Sequence, residues 1–255
     1  KTRMRFGFKT RIIRILMRRA DYFITQTKAA KKGIVKVTGI REKNIAVIPN
    51  VLPYFYQSVV PVRKSSNTTN IIYVASPAPH KNIEIIPQVA HVLKHEYGLK
   101  NFRFLITIPA EESGVASNVS QTANELLVGD EVVNVGAKTQ QELVSLYEAA
   151  SLGFFSSVLE TFSATLLEYM YFKLPVVASN KPFNTEVLGD ASIYFNATDA
   201  KDAACAIYTV LNDEELRNKL LQRSENRIKN FLDYNEHYKS TIEFFRYICE
   251  ETSKN

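Results

Sequence analysis

The sequence predicts an α/β protein organised around a doubly wound parallel sheet. Two observations predict it. Stretches such as 71–75, 152–156 and 175–179 are apolar along their whole length, as strands are when helices cover both faces of a sheet. Helix-length amphipathic stretches alternate with such strands from residue 70 onward, and that alternation implies a parallel sheet. A sheet of this kind binds ligands at the carboxyl ends of its strands, where loops lead into helix N-termini.

The elements follow in chain order. Residues 3–20 read as a basic amphipathic helix, with Phe6, Ile12, Ile13, Ile15, Leu16 and Met17 among eight Lys and Arg counted from Lys1 to Arg19. Tyr22-Phe23-Ile24-Thr25 is a short strand, and 27–38 is a helix carrying a lysine cluster. Residues 44–50 form a strand ended by Pro49. Residues 57–69, rich in Ser, Val, Asn and Thr, are the expected linker. Strand 71–75, helix 82–97, strand 102–108, loop 109–119 and helix 120–127 come next. Strand 131–135, helix 139–150, strand 152–156, helix 162–172 and strand 175–179 continue the alternation. A short helix near 184–188, strand 193–195 and helices over 199–211, 213–229 and 235–250 complete it.

Composition bounds the function. A chain of 255 residues with 45% hydrophobic content can bury a large core. No apolar run reaches the roughly 18 residues of a membrane span, and Ile12-Ile13-Arg14-Ile15-Leu16-Met17 is broken by arginine. The start is basic but lacks the apolar stretch and cleavage site of a signal peptide. The chain opens on Lys1, not Met, and is expected to start inside a longer protein. Cys205 and Cys249 form no CxxC pair, which argues against a disulfide scaffold or zinc site and fits a reducing compartment. Residues 1–50 carry 14 Lys and Arg against 2 acidic residues, whereas 51–255 carry 18 against 24. The basic character belongs to one end, so nucleic acid is not an expected partner.

Chemistry concentrates in 156–168, which runs from a buried strand through a small polar loop into a helix. The first-turn amides of that helix, expected near Thr161, Phe162 and Ser163, join the helix dipole in an anion site suited to a diphosphate. Glu160 and Glu168 bracket the site. Eight helical residues rise about 12 Å, close to the reach from a sugar across a diphosphate to a ribose. An ionised carboxylate accepts several hydrogen bonds at once, so Glu160 suits sugar hydroxyls and Glu168 both ribose hydroxyls. Two solvated glutamates would show the same spacing, the first favoured by the dipole alone. Against that, Glu168 stands in Leu166-Leu167-Glu168-Tyr169-Met170-Tyr171-Phe172, where a buried carboxylate needs a partner.

Glu160-x7-Glu168, followed by Leu174-Pro175-Val176-Val177-Ala178 and Glu186-Val187-Leu188-Gly189-Asp190-Ala191, resembles the donor-binding signature of the family-4 retaining glycosyltransferases of GT-B fold. Ile45-Ala46-Val47-Ile48-Pro49-Asn50 resembles the end of that family's N-terminal domain, and Lys81-Asn82 the pair after the first strand of its C-terminal domain. Val135-Gly136 with Gln141-Glu142-Leu143 resembles its loop near the nucleotide base, and 191–195 also fits. The resemblance extends along most of the chain. It implies the Rossmann-like, C-terminal half of a GT-B enzyme. Residues 1–58 would be the remnant of the acceptor domain and linker, 59–230 the nucleotide-sugar-binding domain, and 231–255 a C-terminal helix packing back across the junction.

The resemblance also implies roles. Glu160 contacts the transferred sugar, while Thr161, Phe162 and Ser163 offer backbone amides to the diphosphate. Thr165 lies near the ribose, whose hydroxyls Glu168 holds. Lys81 neutralises the phosphates and stabilises the leaving nucleotide as charge develops. Lys138 lies near the base. Where the family has Gly-Arg after the first strand, this chain has Ala75-Ser76; His80 either replaces the missing cation or is a surface residue. The turn Thr107-Ile108-Pro109-Ala110 lacks the family's glycine.

For the whole enzyme the resemblance implies transfer of a hexose, with retention, from a UDP- or GDP-linked sugar to a glycan or lipid-linked acceptor. The setting would be bacterial polysaccharide biosynthesis, such as lipopolysaccharide or capsule, in the cytoplasm or peripherally on the inner face of the plasma membrane. No metal or cofactor is expected, and no paired Asp motif stands in the sequence. The isolated fragment is expected to be inactive, because the family draws acceptor groups from the preceding domain. The alternative is a non-catalytic Rossmann module binding a nucleotide or a partner protein, favoured by the missing Arg and glycine. Helix 3–20 also leaves two readings: attachment to anionic lipid, or the last helix of an acceptor domain with its apolar stripe buried.

Overall fold

The computed structural model describes residues 13–109, 114–231 and 233–253. They fall into two compact units, one drawn from Lys1–Val51 and Asp233–Asn255 and the other from Leu52–Leu232.

In the first unit β1 (Phe23–Thr25) and β2 (Ile45–Val47) pair in parallel, with Phe23 opposite Ile45. The helix Lys28–Thr38 joins them. Thr27 caps its start by accepting from the Ala30 amide at 3.1 Å, and Gly39 ends it at φ +74°, where a Cβ would be strained. The helix Tyr234–Thr252 belongs to this unit, with Tyr22 edge-on to Phe244 and Tyr247 at 6.3 and 6.2 Å. Of the basic segment 3–20, residues 13–17 are helical with Ile13, Ile15 and Leu16 exposed; residues 3–12 lie outside the described residues. No described helix is long and apolar enough to cross a membrane.

The second unit contains a parallel sheet of β3 (Thr69–Tyr73), β4 (Phe102–Ile106), β5 (Val132–Asn134), β6 (Leu152–Phe155), β7 (Val176–Ser179) and β8 (Ser192–Phe195). Their order in space is β5-β4-β3-β6-β7-β8. This is the doubly wound arrangement the sequence predicts, and the winding reverses between β3 and β6. Every residue of β6 and β7 is buried, which explains why those stretches show no polar alternation. Helix starts are set locally. Thr139 and Glu142 form a reciprocal capping box on the helix Gln140–Ala149. Asp199 and Asp213 accept first-turn amides of the helices Ala200–Asn212 and Glu214–Ile228.

Several segments depart from the sequence expectation. The helix placed at 120–127, with 109–119 as loop, spans Gly114–Glu125 instead. Val115, Val119 and Ala123 recur at four-residue spacing and face the core, but exposed Ser117, Asn118 and Ser120 give the stretch the composition of a loop. The helix expected over 82–97 begins as 3-10 turns because Asn82 takes the left-handed φ +53°; the α-helix runs over Ile86–His95. The expected linker 57–69 follows a short helix, Tyr54–Gln57, and is tied down. Arg63 donates to the Tyr147 carbonyl at 3.0 Å, the Lys64 amide to the Glu148 carbonyl at 2.9 Å, and the Lys64 ammonium pairs with Glu148 at 2.6 Å.

One glycine decides how closely helix and sheet approach. A Cβ on Gly153 of β6 would lie 2.5 Å from the ring of Tyr169. That ring is held in place: its hydroxyl lies 3.0 Å from the Ile72 carbonyl and 3.3 Å from the Phe154 carbonyl, and accepts from the Val74 amide at 3.2 Å. Gly153→Ala is therefore expected to cost about 2–3 kcal/mol, the upper range for overpacking a core. Chemical denaturation measures it; a loss under about 0.5 kcal/mol, the scale of ordinary surface substitutions, would mean the ring moves freely.

Candidate functional site

The carboxyl ends of β3 and β6 flank the switch point, and the loops that leave them are laced together. Tyr73 donates to the Lys81 carbonyl at 2.6 Å. The Ser156 hydroxyl lies 3.0 Å from the carbonyls of both Lys81 and Asn82. The Val158 amide donates to the His80 carbonyl at 2.8 Å, and the Ser157 hydroxyl lies 2.9 Å from the same oxygen. Asn82 reaches further, donating to the Ala197 carbonyl at 2.8 Å and the Ser156 carbonyl at 3.3 Å. Ser179, at the end of β7, donates to the Ser157 carbonyl at 2.5 Å. These bonds fix the backbone around Lys81 and the segment that leads into Glu160.

The side chains then meet. Lys81 Nζ lies 2.5 Å from Glu160 Oε1, with the two side chains only 13% and 12% exposed, and the ammonium sits 5.6 Å from the centre of the Phe155 ring. Ser157 Oγ is 2.9 Å from the same carboxylate oxygen, and His80 Nε2 is 3.8 Å from it. An ammonium has three N–H donors, so the pairing with Glu160 leaves Lys81 two for an anion. Lys81, Glu160 and His80 are thus one cluster, and exposed Ser76 lies in the same loop as Lys81.

The following helix starts later than the sequence suggests. It runs over Ala164–Tyr171, with Ser163 as N-cap in extended conformation and no side-chain cap bond. Thr161 and Phe162 therefore precede the helix, and the outward amides belong to the N-cap Ser163 and to Ala164 and Thr165. Phe162 is a core residue, its ring 6.0 Å from that of Phe231. Because 160–163 is not helical, the rise of about 12 Å reckoned for eight helical residues does not apply. Thr165 is half-buried on the first turn, and Glu168 follows one turn later.

Glu168 is 8% exposed. Tyr147, on the helix Gln140–Ala149, donates its hydroxyl to Oε2 in the protein interior. Among the described residues Glu168 makes no ion pair. Burial pushes its carboxyl above the usual range, and the Tyr147 bond opposes that rise. Tyr56 lies close by, with its ring 6.2 Å from that of Tyr147. Burial first, and then the charge of Glu168, push the Tyr56 phenol upward. Lys138 follows β5, is about a quarter exposed, and sits 3.8 Å from Glu142. Among the described residues no three His, Cys, Asp or Glu gather as a metal site would require.

Two residues escaped the sequence reading. Ser157 braces Glu160, and Tyr147 braces Glu168. Leu143, Val144 and Tyr147 mark the buried face of their helix by helical spacing. Nothing local says which carboxylate, 21 residues away, that face meets.

Known proteins share this architecture. The family description "Glycosyl transferases group 1" matches residues 60–227. The O-antigen chain mannosyltransferase RfbU of Salmonella typhimurium is 25% identical over 202 residues, covering 78% of this chain and 53% of that protein. The chain thus spans about half the length of this curated relative. Among solved structures, sucrose-phosphate synthase from Thermosynechococcus elongatus superposes with a TM-score of 0.80 at 17% identity, over 95% of this chain and 62% of that one. A glycosyltransferase from Rickettsia africae gives 0.77 at 17% identity, over 90% and 64%. Anabaena Alr3699/HepE, solved in complex with UDP-glucose, gives 0.77 at 15% identity, over 94% and 67%. These structures share the doubly wound sheet of the GT-B glycosyltransferases, and the family match covers well over half of the sequence. The chain belongs to the group 1 glycosyltransferases.

Proposed function

We propose that this chain is the donor-binding part of an enzyme that moves a hexose, with retention, from a nucleoside-diphosphate sugar to a glycan or lipid-linked acceptor. The observation that carries the reading is the convergence of Lys81, Glu160 and the helix Ala164–Tyr171 at the switch point of the sheet. The ammonium and the free amides of Ala164 and Thr165 suit a diphosphate. Lys81 would stabilise the charge that grows on the leaving nucleotide as the bond to the sugar breaks. Glu160 is held by Ser157 and Lys81 with its second oxygen left to accept from a sugar hydroxyl. Glu168, buried with a single hydroxyl donor, has acceptor capacity for the two ribose hydroxyls. A buried carboxylate that only stabilised the fold would be paired more fully. Action in the cytoplasm, or peripherally on a membrane facing it, belongs to the same proposal.

The Anabaena structure's ligand and the Salmonella relative's name make UDP-glucose and GDP-mannose the first donors to test. At a hundredfold excess over Kd, a bound donor is expected to raise the Tm by roughly 5–10 °C. No shift with either sugar nucleotide, nor with UDP or GDP, would favour a module that binds a partner protein without catalysis. Exposed Ser76, standing where the family has an arginine, is the observation on that side.

A further inference from the structure

We infer that Tyr147 is a positioning residue for the donor, acting through Glu168: its hydroxyl pins one carboxylate oxygen and turns the other toward the ribose. The inference rests on the donor-binding reading given above. Tyr147 is fully buried, and its ring is wedged by Tyr56 at 6.2 Å, Tyr169 at 5.9 Å and Phe172 at 5.0 Å, so its hydroxyl has one direction in which to point. It points at Glu168 Oε2. The groups facing that carboxylate are three phenols: Tyr147 from the helix Gln140–Ala149, Tyr56 from the helix Tyr54–Gln57, and Tyr169 from its own helix. Burial pushes all three upward, so they stay neutral near neutral pH. Tyr169 spends its hydroxyl on the backbone of β3 and β6, and among the described residues the buried hydroxyl of Tyr56 makes no hydrogen bond. Among the described residues, Tyr147 is therefore the one donor to Glu168.

Two consequences follow from the chemistry. A carboxylate with one oxygen pinned keeps a fixed plane, so less ordering is left for the moment of binding. A hydrogen bond to the charged form also favours ionisation, which burial opposes. Removing the hydroxyl leaves Glu168 freer to turn and raises its pKa further. If the ionised form is the one that accepts from ribose, binding falls as pH drops through that pKa. In Tyr147→Phe the fall begins at a higher pH.

The test is titration calorimetry of UDP-glucose and GDP-mannose against the full-length protein over about pH 5 to 9, a span that covers carboxyl groups raised by burial. The ligand's own ionisation is common to every variant and cancels in the comparison. Tyr147→Phe is expected to weaken binding about tenfold at neutral pH, the scale of one hydrogen bond to a charged group, and to move the acid limb to higher pH. Tyr56→Phe removes a neighbouring hydroxyl that makes no hydrogen bond and is expected to bind as wild type. In a Glu168→Ala background, which leaves Tyr147 no side-chain oxygen to hold, Tyr147→Phe is expected to add little. A Tyr147→Phe protein with wild-type affinity and an unmoved acid limb overturns the inference. So does an equal loss in the Glu168→Ala background, which would make the effect one of packing. Failure of the wild-type protein to bind any sugar nucleotide overturns the donor reading instead, and the inference with it.

Discussion

Glu168→Gln is expected to cut sugar-nucleotide affinity by roughly a hundredfold while leaving the protein at least as stable as wild type at neutral pH. Glutamine keeps the shape and still offers Tyr147 an oxygen, so the interior stays satisfied. What disappears is the charge. Hydrogen bonds to charged groups contribute about 1.5–3 kcal/mol and neutral ones about 0.5–1.5, so two ribose hydroxyls together lose about 2–3 kcal/mol. Stability moves the other way. Burial raises the folded-state pKa of Glu168 above its unfolded value. A group shifted in that direction supports the fold fully below the unfolded pKa, and its support is lost as pH rises through the folded pKa. At neutral pH the ionised carboxylate is thus a burden on the fold, which the glutamine removes. Calorimetric affinity and chemical denaturation, run on the same samples from acid to neutral pH, check both halves. A variant that binds like wild type removes Glu168 from the site. A variant that loses binding by unfolding shows a purely structural carboxylate.

Lys81→Ala is expected to lower donor kcat/KM about a thousandfold in the full-length protein, with nucleotide binding weakened less. The ammonium is one of the two cations in this loop near Glu160, the other being His80 at 3.8 Å if protonated. Removing one preorganised charge aimed at a leaving group typically costs about 3–4 kcal/mol of transition-state stabilisation. The alanine also strips Glu160 of its 2.5 Å partner in a site where that carboxylate is 12% exposed. A double-mutant cycle with Glu160→Gln separates the two effects. If Lys81 acts on the leaving group, the loss persists in the glutamine background. If it acts only by holding Glu160, the loss shrinks to a few fold there. A single-variant change under about threefold would remove Lys81 from the chemistry altogether, since that is less than 1 kcal/mol.

Much of this was written locally. The apolar strands of the second unit, the helices between them and the caps Thr139, Asp199 and Asp213 follow from short-range periodicity and from side chains that reach amides three residues away. The candidate loop was legible for the same reason, since a small polar stretch between a buried strand and a helix is read from neighbours in sequence. The helix Gly114–Glu125 was less legible, because its core face is spelled by only a few apolar residues among serines and asparagines. The strap at Arg63 and Lys64 was not legible at all, because its partners lie more than 80 residues away.

What only the tertiary structure decided is which distant residues share a site. Lys81 and Glu160 are 79 positions apart and meet because β3 and β6 are neighbours where the sheet reverses its winding. Tyr147 and Glu168 meet because two helices bury facing sides in one core. Ser163 ends up before the helix and Phe162 inside the core because a ring that finds an apolar neighbour is worth more than one further turn of helix. Local sequence determines the elements, since torsional and hydrogen-bonding preferences act over a few residues. The pairing of side chains across elements is a property of strand order and packing, which no short window of the sequence contains.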